Sequence, residues 1–400
     1  MSKQSLICIA MPKWRGNYLK STVQLMEGLS EEYNVLYVDY AYTLKDLLKA
    51  MYSGNILLVK SLLGIGGRIE KFDLKSGHSL KVLTLPPIIP ANGFRSARVF
   101  DFFTRINAKI VQRCIIKYSR KLKITDPVVV NAFQPFLGKW LKGKLNEKTL
   151  IYYCYDEINA ARWLSNHGKR YESEYIPNVD SVIVTSSELA KSKNSFNSDI
   201  HIVHNGVDFE LFGRELDVYS ENVSKRKIIG YVGSVDNRID FDLLEYLSKM
   251  LPDYSFQFIG RFENDSESLL SLNKCSNVHL MGAQNPDTLA GLIESMDVCI
   301  VPFLENEFTR SIYPLKMNEY LSRGKPVVST QFSDLSDFEG YIYTANSKEQ
   351  FLGMIKKSIL EKDPKMCLKR IELAKSNSWE VRANQFSRII KNSYKQKDIL

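Results

Sequence analysis

The sequence predicts an α/β fold made of two doubly wound domains, each built on a parallel sheet. Three observations carry this. The chain has 400 residues, more than one core normally fills. Short apolar runs alternate with helical periodicity almost throughout, the pattern of parallel strands covered by helices on both faces. The alternation breaks at Asn205–Ser224, a stretch with two glycines and no periodicity, which reads as an interdomain linker.

In the first half, Ser5–Met11, Asn34–Asp39, Asn55–Val59, Leu80–Leu85, Pro127–Asn131, Leu150–Cys154 and Ser181–Thr185 read as strands. The second half repeats the pattern with Lys227–Val232, Tyr254–Ile259, Asn277–Leu280, Asp297–Val301, Pro326–Ser329 and Gly340–Tyr343. A helical stretch over 378–395 begins near Trp379. The domains expected are therefore 1–205, 206–378 and a terminal helix over 379–400. Ligands of open α/β sheets bind beyond the carboxyl ends of the strands, so a cleft between two such sheets is the expected site.

Composition narrows the class. Apolar residues make up 44% and charged residues 25%, values of a soluble globular protein. No apolar run approaches the roughly 20 residues that span a bilayer. The opening run Ser5–Met11 is short and lacks a small-residue cleavage site, so it reads as a core strand rather than a signal peptide. Six scattered cysteines form no C-x-x-C pair, which fits buried thiols in a reducing cytosol and argues against a zinc site.

Charge is uneven. Residues 1–200 carry a net +12 and residues 201–400 a net −3; within the first half, 51–150 hold 18 basic and 5 acidic residues. So basic a segment is expected to meet an anion. Between Arg95 and Lys123 lie nine basic residues and one acid, Asp101. Arg105, Lys109, Arg113 and Lys117 are four apart and share one helical face. Val99, Phe102, Phe103, Ile106, Ile110 and Cys114 are expected to form the apolar face. Pro86–Pro90 with Gly93 and Phe94 are expected to form an exposed apolar loop beside it. That combination points to an anionic inner-membrane surface; the other reading is a core-packed helix with a solvated basic face. No nucleic-acid-binding motif accompanies the charge, so nucleic acid is not expected as a partner.

The densest chemical signal is Tyr313-Pro314-Leu315-Lys316-Met317-Asn318-Glu319-Tyr320, followed by Gly324-Lys325-Pro326-Val327-Val328. It reads as loop, helix, glycine stop and buried strand. Pro314 is tolerated at the first helical position, and Gly324 suits the position after the last turn. A helix start attracts an anion, and Lys316 adds a cation there. Glu319 lies one turn on, on the same face. The order suits phosphates at the helix start and ribose hydroxyls at the carboxylate; an amphipathic helix with a solvated Lys and Glu is the alternative.

This segment resembles the donor-nucleotide signature of GT-B glycosyltransferases of the group 1, or family four, type, P-L-K-x-x-E-Y-x-A-x-G-K-P-V-V. His204-Asn205-Gly206-Val207-Asp208, Ile229-Gly230-Tyr231-Val232-Gly233-Ser234 and Phe258-Ile259-Gly260-Arg261 resemble three further elements of such enzymes, in the expected order. The resemblance spans 204–330. It implies two Rossmann-like domains facing a cleft, with the final helix crossing back to the first domain. It also implies transfer of a sugar from a nucleotide-diphosphate sugar to a lipid-linked or saccharide acceptor, without a metal or other cofactor. Many such enzymes act at the inner face of the cytoplasmic membrane, so a cytoplasmic, peripheral location is expected. Many relatives carry a second Glu eight residues before the ribose Glu; here Ser311 stands there, with Glu305 and Glu307 upstream.

The donor contacts expected are Gly233, Ser234, Arg238, Arg261, Tyr313, Pro314, Leu315, Lys316 and Glu319, with Lys316 first among the cations that neutralise the leaving diphosphate. For an inverting reaction a base is needed. Asp156 and Glu157 follow the apolar strand Ile151–Tyr155 directly, so Asp156 is the favoured base and Glu157 the second choice; Asp156 alternatively caps the next helix. Tyr155 takes the place where many retaining relatives have His, and His204 is a hinge-side candidate. Trp14, Arg15, Gly16 and Asn17, in the loop after the first strand, are the expected acceptor contacts. Competing functions are a nucleotide-sugar 2-epimerase of the same architecture and a non-catalytic binding protein. A dinucleotide oxidoreductase is disfavoured because no G-x-G-x-x-G follows a strand.

Overall fold

The computed structural model describes residues 3–16, 18–160, 164, 166–214, 226–262 and 267–397. The chain divides into two compact units, Met1–His204 with Arg382–Leu400, and Asn205–Val381.

Among the described residues the first unit holds eight strands: β1 Gln4–Ala10, β2 Tyr33–Val38, β3 Ile69–Asp73, β4 Ser79–Leu83, β5 Val128–Ala132, β6 Thr149–Cys154, β7 Ser181–Val184 and β8 Ile200–Ile202. Their order is β3-β4-β2-β1-β5-β6-β7-β8, parallel except for the antiparallel edge pair β3–β4. The central strands are buried on both faces, which is why they read as continuous apolar runs. The second unit holds β9 Ile228–Val232, β10 Ser255–Ile259, β11 Val278–Leu280, β12 Val298–Val301, β13 Val327–Thr330 and β14 Tyr343–Ala345, all parallel, in the order β11-β10-β9-β12-β13-β14.

The structure corrects five local expectations. Asn55–Val59 is not a strand. Asn55 caps a helix over Ile56–Leu63 by accepting from Leu58 N at 3.1 Å, and Gly64 closes it in the left-handed region at φ +76°. The long basic helix, Ala97–Lys121, buries Phe100, Thr104, Asn107, Ala108, Val111, Cys114 and Ile115, whereas Val99 and Phe102 are exposed. The face named from the sequence was rotated by about one position; of its residues Cys114 alone is buried, and Phe103 packs on the core while half-buried.

Third, Pro86–Ile89 are half-buried rather than exposed. Ile88 pairs with Thr43, and the Asn107 amide holds both Ile89 N and Ile89 O at 2.8 Å. Fourth, Asn205–Arg214 is packed within the second unit. Val207 pairs with Ser378, and Phe212 in the short helix Phe209–Phe212 is fully buried. The remainder of the expected linker, 215–224, lies outside the described residues. The strand near the end of the second unit starts at Tyr343 instead of ending there.

The last helix, Trp379–Lys397, enters the first unit from Arg382 onward. There Phe386 packs edge-on against Tyr153 at 5.6 Å, and Ser393 Oγ meets Ser181 Oγ at 2.6 Å. Lys391 and Ser387 both donate to Glu32, and Lys391 holds that carboxyl below its ordinary range.

Candidate functional site

In the second unit the helix Leu315–Ser322 starts directly after Pro314, which occupies the capping position with φ −80° and ψ 93°. The helix thus starts one residue later than the first-helical-position reading placed it. Gly324, at φ +69°, ends the helix; a Cβ there would fall 2.2 Å from Cys367 Sγ. The Tyr320 hydroxyl accepts from Val232 N at 2.8 Å inside the core. This ties the helix to the carboxyl end of β9, whose next residue is Gly233.

Gly233 lies at φ +143° and Gly260 at φ +151°, conformations that side chains rarely adopt. Gly233 N donates to Ile259 O at 2.8 Å and Gly260 N to Gly282 O at 3.1 Å, so the ends of three neighbouring strands are joined through backbone. A Cβ on Gly260 would sit 1.9 Å from Gly233 O. The lysine of the helix fills the room that Gly233 leaves. Lys316 Nζ lies 5.6 Å from the centre of the Tyr231 ring and 5.8 Å from that of Phe303, within range of a cation–π attraction.

No ion pair to Lys316 is present among the described residues, and Glu319 is 9% exposed. Burial pulls the Lys316 ammonium down to about 8, helped by the Arg238 charge and opposed by Glu319 and Asp236. Burial pushes the Glu319 carboxyl up to about 7 against the pull of Lys316. A cation and an anion one turn apart, each held poorly solvated, are poised to gain from a polar ligand.

The other donor candidates are distributed around this pair. Arg238 is clamped by Asp236, with Nε to Oδ1 at 2.7 Å, and lies over the Phe303 ring at 5.4 Å. Ser234 O accepts from the Tyr231 hydroxyl at 2.9 Å. Arg261 follows Gly260; its carbonyl accepts from Val235 N and its side chain is exposed. Tyr313 is buried against Phe338, ring centres 5.5 Å apart. Ser311 is buried and donates to Phe308 O at 2.7 Å, while Glu305 pairs with Arg310 at 3.1 Å. The walls supplied by Tyr231, Phe303 and Asp236 were not singled out from the sequence. Their only local signal is position, each within a few residues of a strand end.

In the first unit, Asp156 and Glu157 lie just beyond β6. Asp156 Oδ1 accepts from Glu157 N at 2.8 Å. Glu157 is committed elsewhere: its Oε2 accepts from Lys193 Nζ at 3.2 Å and its Oε1 from the Asn159 side chain at 3.0 Å. Lys193 also pairs with buried Glu172 at 2.7 Å, and Glu172 accepts from the Tyr152 hydroxyl at 2.8 Å. Burial alone would lower the Lys193 pKa, but Glu172 beside it outweighs this and holds it above its ordinary value. The structure therefore makes Glu157 part of a buried ion-pair network. His204 Nδ1 donates to Thr185 O, 2.7 Å away.

The loop after β1 is held by side-chain contacts of its own unit. The Trp14 ring packs against Tyr37 and Phe72 at 5.0 and 5.4 Å, and Trp14 N donates to Asp39 Oδ1 at 2.7 Å. Arg15 pairs with Glu70. Lys20 reaches back and donates to the carbonyls of Lys13 and Arg15 at 2.6 and 2.7 Å, which locks the loop from below. A Cβ on Gly16 would fall 2.6 Å from Lys20 Nζ. Asn17 lies outside the described residues.

Sequence reading missed a cavity of about 280 Å³ at the carboxyl ends of β1, β2 and β5. Its walls include Met11, Ile88, Phe100, Phe136 and Leu137, with Lys45, Thr104 and Gln134 as polar points. It is assembled from separate segments spread between Met11 and Leu164, and no local pattern announces it. It has the usual character of a small-molecule site, apolar walls with a few placed polar groups.

Comparison with known proteins agrees with this architecture. Residues 226–359 match the family described as glycosyl transferases group 1. A Bacillus subtilis (strain 168) protein named for teichuronic acid biosynthesis, the glycosyltransferase TuaH, is 27% identical over 184 residues, 44% of this chain and 46% of that protein. The chain thus matches about half the length of that relative. Sucrose-phosphate synthase from Thermosynechococcus elongatus superposes with a TM-score of 0.72 at 14% identity, covering 99% of this chain and 100% of its own. Anabaena HepE, solved with UDP and glucose, gives 0.63 at 13% identity, covering 98% and 100%. The chain has the GT-B glycosyltransferase fold, with its glycosyl transferases group 1 match falling in the second unit.

Proposed function

We propose that this protein is a glycosyltransferase that moves a sugar from a nucleoside diphosphate sugar to a lipid-linked or saccharide acceptor in surface-polysaccharide synthesis. The observation that carries this reading is the Lys316–Glu319 pair at the start of the Leu315–Ser322 helix, a partly buried cation and a buried carboxylate beside the Gly233 turn. Lys316, with Arg238 behind it, neutralises the leaving diphosphate. Glu319 accepts from the ribose hydroxyls. Cationic side chains supply the charge in this reading, so transfer needs no metal, and activity persists in a chelator. The name of the Bacillus relative supports the polysaccharide assignment, and the HepE complex with UDP and glucose supports the donor.

Asp156 is the proposed base for the acceptor hydroxyl, and the cavity beyond β1, β2 and β5 the proposed acceptor pocket. The protein works peripherally at the inner face of the cytoplasmic membrane. Supporting this, Arg105, Lys109, Arg113 and Lys117 are all exposed on one face, and no helix among the described residues is long and apolar enough to cross a membrane.

The test is a thermal-shift series with uridine, guanosine, adenosine, cytidine and thymidine diphosphates, since a ligand of the native state raises apparent stability. One or more nucleotides stabilising the wild type but not Glu319→Ala is the expected outcome. Stabilisation by none of them overturns the donor assignment. Incubation with donor sugar alone separates the epimerase reading, which requires a new epimer without an acceptor.

A further inference from the structure

The helical hairpin that follows β2 turns its apolar side chains outward. Its first helix, Leu44–Tyr52, is capped by a Thr43–Asp46 capping box, and its second, Ile56–Leu63, by Asn55 and Gly64. Leu48 is 66% exposed, Tyr52 96%, Ile56 64% and Leu57 83%, with Met51 and Leu63 also exposed. Leu44, Leu48, Met51 and Tyr52 recur at helical spacing, so this is a continuous outward stripe and not scattered single residues. The inward side of the hairpin is completed by Ala50 and Leu62, both buried. The apolar content is thus in excess of what the core uses.

Charge identifies what covers it. Lys45, Lys49 and Lys60 are exposed among these apolar side chains. The lone acid of residues 44–68, Asp46, is occupied by accepting from Thr43 N and Thr43 Oγ1 at 2.8 Å. Protein–protein interface cores are depleted in lysine. Interfacial helices combine apolar residues with lysines whose long stems carry the charge to the head groups, and tyrosine favours the same depth.

We propose that the Leu44–Leu63 hairpin inserts its apolar face into an anionic bilayer, with Lys45, Lys49 and Lys60 at the head groups. This deepens, and rests on, the peripheral-membrane reading above; it is independent of the transfer chemistry. The inserted element adjoins the proposed acceptor pocket. Leu44 N donates to Ile88 O at 2.8 Å, Ile88 N to Tyr42 O at 2.9 Å, and Thr43, Lys45 and Ile88 all line the cavity. An acceptor carried on a membrane lipid would therefore meet the pocket at the membrane surface.

The experiment is co-sedimentation of the full chain with vesicles of phosphatidylcholine containing phosphatidylglycerol, and with phosphatidylcholine alone. Three proteins are compared: the wild type, Met51→Ser/Tyr52→Ser/Ile56→Ser/Leu57→Ser, and Arg105→Glu/Lys109→Glu/Arg113→Glu/Lys117→Glu. The serine positions are exposed, so folding is expected to survive, and circular dichroism with nucleotide thermal shift verifies it. The serine variant is expected to lose at least tenfold in partitioning onto anionic vesicles, and the wild type to retain part of its binding in high salt. Unchanged partitioning of the serine variant overturns insertion while leaving peripheral binding intact. Failure of the wild type to bind any vesicle overturns both. A wild-type dimer that the serine variant dissolves, without vesicle binding, assigns the face to a second copy and also overturns the proposal.

Discussion

A Cβ placed on Gly233 would lie 2.0 Å from Cε of Lys316 and 2.6 Å from its Nζ. The lysine's position therefore depends on a hydrogen at residue 233. Gly233→Ala is expected to cost about 1–3 kcal/mol in stability, from backbone strain and displacement of the lysine, and to weaken nucleotide binding by more than tenfold. Lys316→Ala on the same background should restore part of the stability but not the binding. Denaturant unfolding of the four proteins of this double-mutant cycle checks it; additive effects would show that the two residues do not compete for space.

Glu319→Ala is expected to weaken nucleoside diphosphate binding by about 1–3 kcal/mol, the range for losing a hydrogen bond to a charged group. Calorimetry measures it. Tyr320→Phe should act differently. It leaves Val232 N without its 2.8 Å partner in the core, so it should lower stability by about 1–3 kcal/mol and affect binding only through Gly233.

The pH dependence of binding follows from Lys316. Its folded-state pKa is lowered from 10.5 to about 8 by burial. Below pH 8 the ammonium is already formed, and binding takes up little proton. Between about 8 and 10.5 the free protein has lost the proton that a diphosphate restores, so binding takes up a proton and affinity falls as pH rises. The same shift means that the unfolded chain binds more protons than the native one in that window, so this residue's cost to stability is complete below pH 8 and is relieved above it. Calorimetry in buffers of different ionisation enthalpy checks the uptake, and Lys316→Gln should abolish it.

Asp156→Asn is expected to lower turnover by about two to four decades while nucleotide binding persists. Glu157→Gln should behave otherwise. Its carboxylate partners Lys193, which is 4% exposed, so its loss should appear as reduced stability with a smaller effect on rate. Steady-state kinetics alongside thermal melts separates the two; equal rate losses at equal stability would move the base to Glu157.

Much of the fold was legible because the central strands are buried on both faces. Val128–Ala132 and Val298–Val301 are apolar runs with no polar alternation, and such runs admit few other readings. The edge strands of the first sheet were not legible. Ile69–Asp73 carries Glu70, Lys71 and Asp73 exposed, and Ile200–Ile202 is three residues long. Asn55–Val59 misled because a short run of Ile, Leu and Val looks alike in strand and helix; the cap at Asn55 and the stop at Gly64 were the discriminating signals.

At the candidate site, the Lys316–Glu319 spacing was readable because both residues lie on one helix. The partners Tyr231 and Phe303 were not, since tertiary packing alone brings residues of two separate strand regions to one lysine. The surroundings of Trp14 were not legible for the same reason. A loop aromatic after a strand carries no local sign of the rings it packs on, here Tyr37 and Phe72.

The final helix has a consequence for biosynthesis. Phe386, Ser387, Lys391 and Ser393 complete the first unit by packing on or bonding to Tyr153, Tyr33, Glu32 and Ser181. A ribosome delivers the partners in the first 200 residues long before it delivers these. The first unit to emerge is therefore the last to be finished, and the second has its whole sequence, Asn205–Val381, available earlier. During that interval the surface around Tyr33 and Tyr153 is uncovered in the nascent chain, which makes it a natural place for a chaperone to hold and for a truncated product to be recognised and degraded.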